Sequence, residues 1–145
     1  MHEVVIPIVT APDVEAPTYA TSGAAGMDIR ASEAVEVPSL GRAMVPTGIR
    51  VAIPEGYEIQ VRPRSGLSIM HGITLINPPG TIDSDFRGEV NILVVNLGDK
   101  TYTIKQGERI AQLVVCPVTR ATWLQVNHLS ETERGEGGFG STGER

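Results

Sequence analysis

Along much of the chain, apolar and polar residues alternate one by one. In Tyr57-Glu58-Ile59-Gln60-Val61-Arg62, the apolar Tyr57, Ile59 and Val61 share one face, and Glu58, Gln60 and Arg62 share the other. That is the period of a half-buried β-strand. Tyr102 and Ile104 repeat it. The apolar runs VVIPIV, IRVAIP, NILVVNL and RIAQLVVCPV are separated by turn signals at Pro54-Glu55-Gly56, Gly98-Asp99 and Gln106-Gly107. No stretch of about twelve residues keeps a helical stripe free of glycine and proline. The pattern predicts one very short helix over Ser65–His71, with Ser65 capping its start and Gly72 ending it. The expected fold is all-β, a sandwich or barrel-like arrangement. One strand stands out, because Ile92-Leu93-Val94-Val95 is apolar on both faces. Burial within a sandwich and contact with a second subunit explain it equally well.

Length and composition narrow the picture. A chain of 145 residues fits one domain with a real core. No apolar run approaches the ~20 residues of a membrane span, and the N-terminus lacks the basic-then-apolar pattern of a secretory signal. The single Cys116, within LVVCPV, excludes a disulfide framework. It is expected to be a buried small hydrophobe, and a reducing cytoplasm is the expected compartment. A net charge of −5 argues against a nucleic-acid-coating surface but leaves room for a small anionic ligand.

Candidate chemistry begins at the C-terminal stretch RGEGGFGSTG, residues 134–143. It contains G-x-G-x-x-G, yet only five residues follow Gly140, so no dinucleotide-binding unit can be built on it. There is no G-x-x-x-x-G-K-[ST] and no G-x-S-x-G, and His2, His71 and His128 lie far apart, which disfavours a zinc site. The tail fits a lid that orders on a ligand, with close-approaching glycine backbone, Ser141 and Thr142 hydroxyls, the Arg134 guanidinium and Phe139 to stack on a base. A disordered end is the plain alternative.

Four further segments carry polar groups at spacings of interest. Arg62-Pro63-Arg64-Ser65-Gly66 places two guanidiniums at the start of the short helix, either a phosphate site or a solvated capped helix. Asn77 through Glu89 describes a turn-rich hairpin, with Asn77 expected to face Asn91 across it and frame a slot for the edge of a pyrimidine. Asp83 and Asp85 suit a base or a metal, and equally suit turn geometry. Asp28 lies in a short strand beside a flexible glycine, and Gln112 is a polar amide among apolar neighbours that needs partners.

In this order, AGMDIRA, RPRSGLS, NPPGTIDSDFRGE, GERIAQL and RGEGGFGSTG resemble the five motifs of the trimeric dUTP diphosphatases, over residues 25–143. The resemblance implies a distorted jelly-roll or β-barrel-like fold of the β-clip type. It implies a β domain over residues 1–133 with a flexible lid at 134–145. The activity implied is Mg²⁺-dependent hydrolysis of dUTP to dUMP and pyrophosphate, which keeps uracil out of DNA and supplies dUMP for thymidylate synthesis. Active sites would be shared within a homotrimer, with no membrane or nucleic-acid partner.

It also assigns roles. Asp83 would be the general base for the attacking water, with Gln112 holding that water and the phosphates. Arg64, Ser65 and Gly66 would bind the phosphate chain, and Asp28 would bind Mg²⁺ through water. Asn77 and main-chain groups near Asn91 would read uracil, with Thr81 and Ile82 lining the sugar site. Phe86, where the family often has Tyr, would pack beneath the deoxyribose. Phe139 would cover the base, and Arg134, Gly140, Ser141 and Thr142 would complete the site from another subunit. Rival readings are a dCTP-deaminating relative, a catalytically silent nucleotide sensor, and a capsid-like structural jelly roll.

Overall fold

The computed structural model describes residues 2–145. Among the described residues, the segments form twelve strands and one helix in chain order. The first six strands are β1 (Ile8–Thr10), β2 (Thr18–Tyr19), β3 (Met27–Arg30), β4 (Val35–Val37), β5 (Arg42–Pro46) and β6 (Ile49–Val51). Then come β7 (Tyr57–Pro63), α1 (Ser65–His71), β8 (Ile73–Leu75), β9 (Gly80–Ile82), β10 (Asn91–Asn96), β11 (Tyr102–Ile104) and β12 (Arg109–Pro117). The largest sheet runs β2-β3-β12-β7-β9, and a second runs β5-β10-β8. Two-stranded pairs, β1-β6 and β11-β4, complete an antiparallel, jelly-roll-like architecture that does not close into a barrel.

Side-chain period sets the core. On β7, Ile59 and Val61 are buried while Glu58, Gln60 and Arg62 are not. They join the fully buried Ile49, Ile73, Ile92, Ile104, Ile110 and Leu113. Each such side chain contributes roughly 1.5–3 kcal/mol over its exposed state. Asn96 is fully buried too, and its polar atoms are satisfied: Nδ2 donates to the Val37 and Lys100 carbonyls at 2.9 and 2.8 Å, and Oδ1 accepts from Gly98 N–H at 2.8 Å. On β10 one face is fully covered within the chain and the other only in part. Ile92 and Val94 point inward, whereas Leu93 is 39% exposed beside its partner Met44 at 63%.

The short helix forms where its pattern predicts, but Ser65 does not cap it. Because β7 runs through Pro63, Arg64 is the last extended residue (φ −95°, ψ 128°) and occupies the cap position without a side-chain cap bond. Ser65 is already inside the first turn. The other end matches the expectation: Gly72 is left-handed, and its N–H meets the Leu67 and Ser68 carbonyls. Cys116 is half-buried rather than buried, since the end of β12 from Val114 onward has left the densest part of the core. From Val118 the chain runs exposed, with Trp123 at 92%, as far as the half-buried Gly137 and Gly138, and is exposed again to its end.

Candidate active site

The largest sheet aligns three polar residues. Asp28 on β3 lies opposite Gln112 on β12, and Gln112 lies opposite Arg62 on β7. Directly opposed residues of antiparallel strands project to the same face. The half-buried Asp28 carboxylate sits between two guanidiniums: Arg109 Nη1 donates to Oδ2 at 3.2 Å, and Arg64 Nε lies 3.5 Å from Oδ1. Arg64 also donates from Nη1 to the Arg109 carbonyl at 3.2 Å, tying the helix start to β12. Arg62 is held elsewhere, donating from Nη2 to Gln60 Oε1 at 2.8 Å.

Sequence reasoning passed over Arg109. The ladder between β12 and β3 shifts register between Arg109 and Ala111, a bulge that re-aims the strand's first side chain. The arginine inside GERIAQL was the available signal, but its aim depends on that irregularity. A cavity of about 360 Å³ opens beside Asp28 and Arg109 and is lined also by Thr18, Arg30 and Thr47.

A second group surrounds a cavity of about 290 Å³. Asn77, Thr81, Ile82, Asp83, Phe86 and Asn91 all line it. The framing differs in detail from the sequence expectation, because Asn77 and Asn91 are not cross-strand partners. In the β8–β10 ladder Val94 pairs with Leu75 and Asn96 with Ile73, a register that points Ile92 toward Asn77, while Asn91 pairs with Pro46 of β5. They converge on the cavity from the ends of different strands. β9 is zipped to β7, with Thr81 opposite Gln60 and Ile82 opposite Ile59, so the exposed Asp83 follows directly from an anchored strand. The chain then turns tightly: Phe86 N–H donates to the Asp83 carbonyl at 3.2 Å, and Arg87 Nη1 to the Ser84 carbonyl at 2.6 Å. The Phe86 ring lies over Gly88, where a Cβ would fall 2.7 Å from Cζ.

The tail residues form a third group. Arg134 Nε donates to the Gly137 carbonyl at 2.8 Å, and Gly140 and Phe139 take positive φ. Phe139 is wholly exposed, and none of Arg134, Phe139, Gly140, Ser141 and Thr142 lines either cavity. Among the described residues no hydrogen bond or ion pair joins Asp28, Arg64 and Gln112 to the Asp83 cavity. Ser65 and Gly66 are exposed at the helix start.

The dUTPase family profile matches residues 12–143. The chain belongs to the dUTPase family. It is similar, at 54% identity over 145 residues and 99% of both chains, to the deoxyuridine 5'-triphosphate nucleotidohydrolase of Fusobacterium nucleatum subsp. nucleatum. The enzyme of the same name from Roseobacter denitrificans is 59% identical over 133 residues, covering 90% of this chain and 88% of that one. Among solved structures, the Staphylococcus bacteriophage 80alpha dUTPase with dUPNHPP superposes with a TM-score of 0.88 at 29% identity, over 96% of this chain and 98% of the other. No helix among the described residues is long and apolar enough to cross a membrane.

Proposed function

We propose that this dUTPase-family chain hydrolyses dUTP to dUMP and pyrophosphate by attack of water on the α-phosphorus. The observation that carries the reading is the single cavity shared by Asn77, Thr81, Ile82, Asp83, Phe86 and Asn91. It sets amide groups able to read a pyrimidine edge beside a carboxylate able to take a proton. Asp83 accepts the proton of the attacking water as the oxygen–phosphorus bond forms. The bond from the α-phosphorus to the bridging oxygen breaks, and pyrophosphate leaves with that oxygen. Gln112 holds the water and the α-phosphate. Arg64, Ser65 and Gly66 bind the phosphate chain. Thr81 and Ile82 line the sugar site, and Phe86 packs beneath the deoxyribose, where a ring leaves no room for a 2′-hydroxyl.

The donor set near Asp28 fits Mg²⁺ held through water. Asp28 is a single half-buried carboxylate flanked by two guanidiniums, too few ligands and too much positive charge for a direct protein cage, so it would hold the cation only through the cation's own water. When bound, the cation neutralises triphosphate charge.

The three groups of site residues stay apart within one chain, and this separation supports a homotrimer with shared sites. The exposed Met44 and Leu93 and the exposed segment after Pro117 support it as well. In this reading residues 1–133 form one β domain, and residues 134–145 close over a neighbour's nucleotide, with Phe139 on uracil and Arg134, Gly140, Ser141 and Thr142 on the phosphates. The reaction takes place in the cytoplasm, where it removes dUTP and supplies dUMP.

The test is pyrophosphate release from dUTP, UTP, dTTP and dCTP with Mg²⁺, by the full chain and by a chain ending at Glu133. Selective turnover of dUTP that collapses in the shortened chain is expected. Release of dUTP from dCTP, or equal activity of the two lengths, would overturn the substrate and lid assignments respectively.

A further inference from the structure

Gly26 immediately precedes β3, and Gln112 of β12 lies against it. A Cβ at position 26 would fall 2.8 Å from Gln112 Oε1, 3.2 Å from Gln112 Cβ and 3.4 Å from Val114 Cγ2. The first distance is shorter than real Cβ contacts allow. Gly26 does not have a positive φ, so its backbone is one that alanine adopts without strain. Space, and not flexibility, is what glycine supplies here, since a Cβ would make the movable end of the Gln112 side chain give way.

The neighbour occupying that space is Gln112. Its side chain is half-buried, and its amide makes no hydrogen bond within the chain among the described residues. Its ladder partners on either side, Asp28 and Arg62, are both bonded to other groups. The amide is therefore free to bind a ligand, and van der Waals contact alone sets its seat. The bare Cα of Gly26 forms one wall of that seat.

We infer that Gly26 is a positioning residue that lets the Gln112 amide lie low over β3, in line with Asp28, at the place where water and phosphate are to be held. A methyl group at position 26 lifts the amide away from the sheet. The inference rests on the role proposed above for Gln112, and its test separates the two.

Four proteins are compared in full-length form: the parent, Gly26→Ala, Gln112→Ala and the double variant, each by kcat, KM for dUTP and thermal midpoint. A displacement of about 1 Å in a catalytic group can cost as much as 10²-fold, so Gly26→Ala is expected to lower kcat about ten- to a hundredfold, with a smaller change in KM. In the Gln112→Ala background, where the amide is gone, the same substitution is expected to change kcat by no more than about twofold, the ordinary spread for independent sites. Equal losses in both backgrounds, or an unaltered kcat in Gly26→Ala where Gln112→Ala lowers it, would overturn the inference. If Gln112→Ala alone keeps the parent's kcat, the role given to Gln112 fails. Gly26→Ala must then be silent as well, and any loss it causes counts against positioning. If Gly26→Ala does not fold, folding of the double variant supports the contact, and failure of both overturns it.

Discussion

Arg109 Nη1 donates to Asp28 Oδ2 at 3.2 Å, bringing together the first residue of β12 and the second of β3. Arg109 is 43% exposed at its side chain and Asp28 is 19% exposed. With the guanidinium largely in water and a second arginine still beside the carboxylate, this pair contributes little more than the about 0–1 kcal/mol of an exposed one. Arg109→Ala should therefore leave the melting midpoint nearly unchanged while releasing one oxygen of Asp28. The expected effect is a few-fold rise in KM for Mg²⁺–dUTP, because the freed carboxylate no longer keeps one orientation beside the cavity that both residues line. Steady-state kinetics beside thermal unfolding will check it, and a large melting loss with unaltered KM would place Arg109 in structure alone.

Asp83 follows an anchored strand, is exposed, and lines the cavity. Asp83→Asn keeps the shape and removes the carboxylate proposed as the base. A loss in kcat of about 10²–10⁴-fold is expected, the usual worth of a positioned acid or base. Equilibrium binding of dUTP should change only a few-fold. Single-turnover rates together with titration calorimetry separate the two, and tight binding with a near-normal rate contradicts the assignment.

Two glycines with positive φ should respond differently to alanine. At Gly72 the φ is 70° and a Cβ would meet Gly98 N at 2.6 Å. At Gly107 the φ is 83° and nothing lies within 4 Å. The backbone cost is about 1–2 kcal/mol in both cases. Only Gly72→Ala must also push apart the turn that brings Leu97 N–H to the Gly72 carbonyl at 2.8 Å. Denaturant unfolding should rank Gly72→Ala clearly below Gly107→Ala, and equal losses would show that the turn yields freely.

The Tyr102 hydroxyl donates to Glu108 Oε1 at 2.9 Å. Burial first, then the hydrogen bond and the charge of Glu108, push its pKa from 10.0 up to about 12. The raised folded value favours the neutral phenol, so this contribution to stability is whole below pH 10 and fades as pH climbs through about 12. Of the three tyrosines, one should titrate late in alkaline difference spectra and vanish in Tyr102→Phe. The variant should also lose part of the alkaline slope of unfolding.

Local patterns carried the fold a long way. Alternation along β7 marked Ile59 and Val61 as buried, and Gly72 announced the helix end, because each depends on a few adjacent residues. The grouping of one set of candidate residues was legible as residue types, since Asn77, Thr81, Ile82, Asp83, Phe86 and Asn91 do share one cavity. Geometry between distant segments was not legible. A single-residue difference in ladder register separates Asn77 from Asn91. The aim of Arg109 depends on a bulge, and Gly26 serves a glutamine on another strand. The helix cap moved to Arg64 because the strand before it extends through Pro63.

The exposed segment after Pro117 holds the chain's one tryptophan, Trp123. Indole emission is therefore a private signal of that segment, free of any contribution from the β body. Its wavelength and quenching by iodide register whether the segment lies in water or against another surface, with no label attached. Dilution or addition of nucleotide then becomes an optical experiment on one side chain of the native sequence.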